Sequence, residues 1–391
     1  MTEPLLLVGG SVRAAAMSAR RAGFEPLAID RFADADLRRI CRNFQPYDEL
    51  RQVAKLACGL PTADWMYTGP LENHVSLIEQ LTEQRELLGT APAVVRRIRN
   101  PWDLAAALRQ AGLRCPRLKL LGEVPVEGQW LRKPLQAAGG FGIERFVPAR
   151  SDNTAASIYF QEFIPGRSIG AIFVAANGKS KFVGATEQLL GPAWGGAREF
   201  QYVGSVGPIA LSTEQVQALS DIGNCIASSF AVQGLFGVDA IVNDEGIWPV
   251  EVNPRYTASV EILERAMNIA AIQWHVAACR DGKLPVSDHK GRMGLQARPA
   301  NDRPGNPSYT NSNGARHGKA VVYANRRITI DTKLEQELLA RNESDAAPTV
   351  ADIPTAGTIV DEGEPLTTLF AAGATNEEVE ESLRTAIAAW R

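Results

Sequence analysis

Two apolar runs, Gly234 to Asn243 and Ile247 to Asn253, are joined by only Asp244, Glu245 and Gly246, and so short a connection leaves room for little but an antiparallel hairpin. Side chains alternate faces along a strand, so Glu251 and Asn253 share one face while Val250 and Val252 turn to a core. A three-residue loop, Asp244-Glu245-Gly246, with glycine last where a left-handed backbone is wanted, sets Asp239 opposite Glu251. A two-residue loop instead sets Asp239 opposite Val250 on the wrong face, so the reading hangs on one residue of register. In the first register Asp239, Glu251 and Asn253 form one oxygen-rich site. Hard cations such as Mg²⁺ take such donors together with phosphate oxygens. Arg255, just beyond Pro254, is suited to a substrate carboxylate or a developing negative charge.

Upstream, the apolar strand from Trp130 ends in Lys133, and the small-residue stretch Ala137-Ala138-Gly139-Gly140-Phe141-Gly142 leads into a new strand at Ile143. Glycine lets backbone N–H groups approach phosphate oxygens, and lysine adds a mobile positive charge. In the Walker loop the lysine follows the glycines and a helix comes next. Here the lysine comes first and the loop reads as a hairpin lid, with a glycine hairpin that binds nothing as the equal alternative. The segment Ile158 to Gly166 alternates as a strand and breaks at Pro165-Gly166. An adenine can be read at such a strand end by backbone groups with a carboxylate or amide.

The order of these pieces is lysine with glycine loop, then Glu162-Phe163-Ile164-Pro165-Gly166, then Asp239, then Glu251-x-Asn253-x-Arg255. It resembles the ATP-grasp superfamily over the middle of the chain, the last motif being the most specific part. The resemblance implies a fold mixing α/β and α+β: a Rossmann-like N-terminal domain over 1–90, an ATP-grasp domain of two subdomains over 91–290 with its lid near 115–165, a linker over 291–318 and a small β-rich C-terminal domain over 319–391. It implies ATP and one or two Mg²⁺, with Mn²⁺ as the substitute. Lys133 and the loop Ala138, Gly139, Gly140, Phe141 and Gly142 match the phosphate-binding positions, and Gln161, Glu162, Phe163 and Ile164 match the adenine hinge. Asp239, Glu251 and Asn253 match the metal ligands, and Arg255 joins Lys133 in the catalytic role. Two positions depart from the pattern. Arg99, before Asn100-Pro101, stands where many members carry a further phosphate-binding lysine, and Arg167 and Ser168 stand where a ribose-binding carboxylate often follows.

The activity implied is ATP-dependent carbon–nitrogen bond formation: a carboxylate–amine ligase working through an acyl phosphate on small-molecule acid and amine substrates. The stretch Asp352 to Pro365 is similar to the C-terminal domain of biotin carboxylase-like members, so a carboxylase or carbamoyl-type reaction is the alternative. A non-catalytic nucleotide-binding module is a third reading, because the family's extra lysine is not recognisable. Over its whole length the chain resembles the predicted carboligases linked to methanopterin- and methanofuran-type one-carbon cofactors, which implies an amino-acid ligase acting on a cofactor precursor.

Composition narrows the remaining classes. The 391 residues suggest two or three domains, and 45% hydrophobic with 22% charged residues is ordinary for a globular chain. A net charge of −3 leaves no electrostatic footprint for nucleic acid, and the last 61 residues, with 4 basic and 13 acidic side chains, read as a solvated acidic face. Five scattered cysteines without a Cys-x-x-Cys spacing read as reduced, mostly buried thiols. The start lacks the basic segment of a signal peptide, and no apolar run nears the roughly 18 residues that span a bilayer. The expectation is a cytoplasmic protein without a membrane partner, with a homodimer left open.

At the N-terminus, Leu5 to Ser11, an alanine-rich helix from Val12 to Ala22 and a strand from Pro26 to Asp30 read as a strand-helix-strand unit. Ser11, Arg13 and Asp30 are candidate substrate contacts there, with helix capping and surface solvation the stronger alternative. Residues 71–88 have helical apolar spacing and predict a helix capped by Gly89. Asn100 caps a further helix that has Pro101 at its first position and stops at Gly112. The glycine-rich loop Gln188 to Ser205 carries Trp194, Arg198 and Tyr202, a set suited to an organic acid or aromatic substrate, or equally to packing on its sheet. Residues 299–318 are dense in breakers and read as a linker or mobile loop. Short strands follow at Lys319, Arg327 and Gly357, and a last helix from Asn376 aligns Val379, Leu383, Ile387 and Trp390. The four histidines show no metal-site spacing.

Overall fold

The computed structural model describes residues 2–125, 127–147, 157–194, 196–287, 293–294, 314–342 and 348–390. The chain opens with β1 (Glu3–Gly9), α1 (Arg13–Arg21), β2 (Phe24–Asp30), α2 (Ala35–Ile40), β3 (Asn43–Pro46), α3 (Val53–Cys58) and β4 (Asp64–Tyr67). The strands lie parallel in the order β3-β2-β1-β4. A parallel strand covered on both faces reads as a continuous apolar run, and Leu5 and Leu7 pack into one core while Leu6 and Val8 pack into another.

The helix expected over residues 71–88 is shorter. It is α4 (Val75–Thr82), and Gly89 does not cap it. The chain beyond turns back along β4: Trp65 N donates to Glu86 O at 2.9 Å and Leu88 N to Trp65 O at 2.7 Å. Backbone pairing with a sheet edge, which also buries Leu88, outweighs a helical spacing that only local periodicity supported. Next come α5 (Pro92–Ile98), unexpected from the sequence, and α6 (Pro101–Gln110), whose Asn100 Oδ1 accepts from Trp102 N at 3.0 Å as a helix cap should.

A small sheet holds β5 (Leu118–Lys119), β6 (Trp130–Pro134), β7 (Glu144–Arg145) and β8 (Ile158–Glu162) in the order β5-β8-β6-β7, with the glycine loop joining β6 to β7. The main body follows: β9 (Arg167–Ala176), β10 (Lys179–Leu190), β11 (Tyr202–Gly207), α7 (Thr213–Phe230), β12 (Gly234–Asn243), β13 (Gly246–Asn253), α8 (Ala258–Met267) and α9 (Ala271–Asp281). After the short pair β14 (Val286–Ser287) and β15 (Met293–Gly294) come β16 (Arg316–Tyr323), β17 (Ile328–Thr329), α10 (Thr332–Ala340), β18 (Val350–Ala351), β19 (Ile359–Val360), β20 (Pro365–Gly373) and α11 (Asn376–Ala388). The linker expected over 291–318 falls mostly outside the described residues.

Among the described residues one eight-stranded sheet runs β13-β12-β9-β10-β11-β16-β20-β18. The C-terminal strands therefore extend the central sheet through the β11–β16 pair. Ile169, Ala171, Phe173 and Ala175 of β9 face α6 and α7, while Ile172 and Val174 face α8 and α9 and, beyond them, α1. The mixed α/β and α+β architecture expected of the sequence is present. All five cysteines are free, yet Cys41 alone among them is fully buried; Cys115, Cys225 and Cys279 pack half-buried at the margins of the cores, and Cys58 is exposed. No helix among the described residues is long and apolar enough to cross a membrane.

The decisive hairpin reaches its expected pairing by another route. Asn243 pairs with Gly246, so the turn has two residues, not three, and the first pairs run Val242 with Ile247, Ile241 with Trp248 and Ala240 with Pro249. A register shift then inserts Val250 as an extra residue, and Asp239 faces Glu251 after all. Val250 is half-buried at the cleft instead of pointing into a core. Strand β13 forms the sheet edge, where a bulge and a proline are tolerated because no second neighbour needs their hydrogen bonds.

Phe173 stacks on Phe236 with ring centroids 5.0 Å apart, and both are fully buried at the centre of this sheet. Phe173→Ala is expected to lower the unfolding free energy by about 3–5 kcal/mol, measured by chemical denaturation, because a tightly packed sheet cannot collapse into the void.

Candidate functional site

The bulged hairpin, the end of β8 and the root of the lid surround one cavity of about 250 Å³, lined by Lys133, Gln161, Asp239, Glu251, Asn253 and Arg255 together with Ala138 to Gly140 and the hinge residues Glu162 to Ile164. Asn253 Nδ2 donates to Asp239 Oδ2 at 3.0 Å, and Gln188 Nε2 donates to Asp239 Oδ1 at 2.8 Å. Burial, then the charge of Glu251, pushes the Asp239 carboxyl up to about 6. Glu251 behaves oppositely: burial works to raise its pKa, but Arg99 and Lys133 outweigh it and hold the group below the usual carboxylate range. Among the described residues no three carboxylate, imidazole or thiol groups converge. Two carboxylates and an amide are a donor set that suits a hard cation sharing its shell with phosphate oxygens.

Lys133 is buried on β6 and its Nζ donates to Gln161 Oε1 at 3.1 Å; Gln161 Nε2 in turn donates to Val250 O, the bulge carbonyl, at 3.4 Å. Burial opposes the lysine's charge, yet Tyr159, Glu251 and Asp239 keep its pKa raised, so it remains a cation. Gln161 thereby links lysine and hairpin, a role additional to the expected adenine contact. Glu162 gives its carboxylate to Arg117, whose Nη2 and backbone N donate at 2.8 and 3.1 Å, and that hydrogen bond lowers its pKa. The hinge therefore offers mainly backbone to the cavity, with Phe163 and Ile164 beside it.

The lid lies over the cavity. Gly139 O accepts from Tyr202 N at 2.9 Å, and Gly140 sits at φ +76° against Phe200, where a Cβ would come 2.0 Å from Phe200 O. Phe141 is half exposed at the tip, with the Arg198 guanidinium 6.0 Å from its ring. Arg145, just past the loop, bonds Glu199 at 2.8 Å and lies 4.4 Å from the Phe163 ring centre. The loop after β10 is thus the surface on which the lid rests.

Arg99 reaches the site from the C-terminal end of α5. It forms an ion pair with Glu251 through Nη1, while Nη2 donates to Asn73 Oδ1 at 3.0 Å and to Ala137 O at 3.1 Å. Arg255 donates from Nη2 to Glu72 Oε1 at 2.6 Å and to Asn253 Oδ1 at 3.2 Å, and from Nη1 to Tyr256 O at 3.2 Å. The Nε atoms of both arginines are buried without a partner, so each retains a donor.

The weaker candidates separate. Tyr202 lines the cavity and shares a hydrogen bond with Ser205 Oγ at 2.8 Å, but Trp194 is buried in the C-terminal core under Arg384. Arg13 is also turned away from the cavity. It is 1% exposed and saturated by Glu261, Asp352 and Asp36, which makes it a structural cation, neither the candidate substrate contact nor the solvated surface residue that was the stronger alternative. Ser11 is exposed with its Oγ 3.4 Å from Asp352 Oδ1. Asp30 accepts from the N–H groups of Val12, Phe32 and Ala33 at 2.7–2.8 Å and so ties together the loops that follow β1 and β2. Glu72, Asn73, Gln188 and Ser259 were not anticipated. Glu72 and Asn73 look like ordinary surface polar residues in a helical spacing, and Gln188 lies across the sheet from Asp239, so only tertiary contact reveals them.

Residues 98–259 match the family model of the ATP-grasp domain, which bears out the resemblance read from the motifs. The chain is 22% identical over 294 residues to the uncharacterized protein MJ0776 of Methanocaldococcus jannaschii, covering 68% of this chain and 72% of that one. Its fold is similar to the biotin carboxylase domain of Hydrogenobacter thermophilus 2-oxoglutarate carboxylase, solved with MgADP and bicarbonate (TM-score 0.68, 13% identity, 99% of this chain and 90% of that one). It is also similar to an L-amino acid ligase from Bacillus licheniformis (TM-score 0.66, 14% identity, 98% and 96% covered).

Gly140→Ala forces a side chain into Phe200 O at a positive φ. Limited proteolysis of the free protein is expected to cut residues 137–142 several-fold faster in this variant than in the wild type, with the rest of the chain unaffected.

Proposed function

With residues 98–259 carrying an ATP-grasp domain, we propose that this chain is an ATP- and Mg²⁺-dependent carboxylate–amine ligase acting on small-molecule substrates. The observation that supports this most is the convergence of Asp239, Glu251 and Asn253 with Lys133 and Arg255 on one covered cavity. The unpartnered buried Nε of Arg99 and the paired carboxylates beside an amide fit a metal-bound triphosphate, and the unpartnered Nε of Arg255 leaves a donor for the acid. Bound there, MgATP supplies an electrophilic phosphorus and a neutralised leaving group.

In this reading Asp239, Glu251 and Asn253 hold the metal, and Lys133, Arg99 and the N–H groups of Ala138 to Gly142 hold phosphate oxygens. Phe163, Ile164 and the hinge backbone receive the adenine. Arg255 holds the acid so that its carboxylate oxygen lies in line with the γ-phosphorus. That oxygen forms the new P–O bond as ADP departs. The amine nitrogen then bonds to the acyl carbon, the C–O bond to phosphate breaks, and the amine's proton leaves. Tyr202 and Ser259 line the same cavity and offer neutral hydroxyls to the substrates. No nucleophilic cysteine or serine is needed.

The acid and amine are proposed to be a cofactor precursor of the methanopterin or methanofuran type and an amino acid, glutamate or an aromatic one. A screen of such pairs for ADP release tests this directly. ADP release that needs only bicarbonate would instead establish the carboxylase reading, and tight ATP binding without phosphate release the non-catalytic one. Glu251→Ala is expected to cut ATP turnover on the order of a hundredfold or more while leaving the far-ultraviolet dichroism unchanged. An active variant in Mg²⁺ would move the site elsewhere.

The raised Asp239 carboxyl gives a pH dependence. Below about 6 it takes up a proton and ceases to be an anionic donor, so MgATP affinity measured by calorimetry should fall as pH drops through that value. Asp239→Asn should bind weakly throughout, with a flatter profile. Mg-ATP is also expected to protect residues 137–142 from proteolysis, and unchanged cleavage would count against the lid role.

A further inference from the structure

The last loop of the amino-terminal sheet sends two consecutive side chains to two arginines, Arg255, which lines the cavity, and Arg99, which is paired with the cavity's Glu251. Leu71–Asn73 forms a single 3₁₀ turn after β4, and its Glu72 and Asn73 bond to Arg255 and Arg99 respectively. The Glu72 side chain is 0% exposed; Oε1 takes Arg255 Nη2 at 2.6 Å, and Oε2 is buried without a partner. The Arg255 guanidinium is therefore the partner that the buried Glu72 side chain finds. The approach is close because Gly69 has no side chain: a Cβ there would lie 2.8 Å from Arg255 Cζ. Asn73 is bonded at both ends of its amide. Its Oδ1 accepts from Arg99 Nη2 at 3.0 Å, and its Nδ2 donates at 3.1 Å to Ala137 O, the lid-root carbonyl that Arg99 also reaches.

We propose that the Glu72-Asn73 turn is the positioning element of the site, with separate duties for its two residues. Glu72 fixes the Arg255 guanidinium where an acid would meet it, and Asn73 ties Arg99 to the root of the lid. An arginine has several rotatable bonds, and holding it in place beforehand removes that ordering from the binding step. The amino-terminal sheet thus contributes to acid binding and to lid closure through two adjacent residues, neither of which lines the main cavity. The Glu72 duty rests on the acid-binding role given to Arg255 above, whereas the Asn73 duty stands on contacts of the free protein.

The test compares Glu72→Gln and Asn73→Ala with the wild type, thermal unfolding serving as the folding control. Hydrogen exchange of residues 135–142 is measured without ligand, MgATP affinity by calorimetry, and the KM of the best acid from the ADP-release screen by steady-state kinetics. Asn73→Ala should speed lid exchange about fivefold, the equivalent of one hydrogen bond, and weaken MgATP binding. Glu72→Gln should leave both within about twofold of wild type while raising the acid's KM about tenfold or more. Glu72→Asp keeps the buried charge and takes its place if Glu72→Gln does not fold. Lid exchange in Asn73→Ala as slow as in the wild type would overturn the proposal. So would a Glu72 variant that loosens the lid as much as Asn73→Ala, since that is the signature of general domain loosening. If the wild type releases no ADP with any pair, the ligase reading fails separately, and lid exchange in the two variants still decides whether the turn's duties are divided.

Discussion

Two carboxylates standing directly opposite each other on neighbouring strands, Asp239 and Glu251, are the constraint around which the rest is arranged. Like charges in that position repel, and here they also lose water. The surroundings answer with cations from three different elements: Lys133 from the lid sheet, Arg99 from the end of α5 and Arg255 from beyond the hairpin. The compensation is uneven. Glu251, paired with Arg99, is held below the usual carboxylate range, whereas burial and the charge of Glu251 raise Asp239 despite Arg255, Gln188 and Lys133. An arrangement that the fold must neutralise in the absence of a ligand is well suited to a dication, which would satisfy both groups at once.

The separate parts of the chain are joined by a second set of buried charges. Arg13 of α1 meets Glu261 of α8 and Asp352 near β18, and Lys319 of β16 donates to the same Glu261 at 2.9 Å. Helix α8 starts three residues after Arg255, so this junction fixes the orientation of the element that carries Ser259 to the cavity. The amino-terminal unit therefore touches the site twice, through α1 against α8 and through the turn after β4. The motif residues proposed to react are thus packed against contacts that lie outside the motifs.

Much of this was legible in the chain itself. The hairpin, the lysine-before-glycine loop and the Glu-x-Asn-x-Arg ending depend on local alternation and on residues only a few places apart, and backbone geometry turns such spacing directly into direction. The pairing of Asp239 with Glu251 was foreseen, but through a three-residue loop that the hairpin does not use. A two-residue turn with a bulge at Val250 restores the same register, and a bulge leaves no mark in composition beyond the edge-strand proline beside it. The helix expected to run to Gly89 failed for the complementary reason: apolar spacing cannot tell a helix face from a segment that will be recruited to a sheet edge.

What the sequence determined by itself was the set of chemical groups and their faces, because those follow from residue type and strand periodicity. What only the tertiary structure decided was which charges meet across long separations. Arg13 became a buried strut instead of a substrate contact, Trp194 became core, and Glu72 and Asn73 became partners of arginines distant from them in the chain. Ion pairs between remote segments depend on how sheets and helices stack, and no local pattern records which surface arginine will find which carboxylate once both have lost their water.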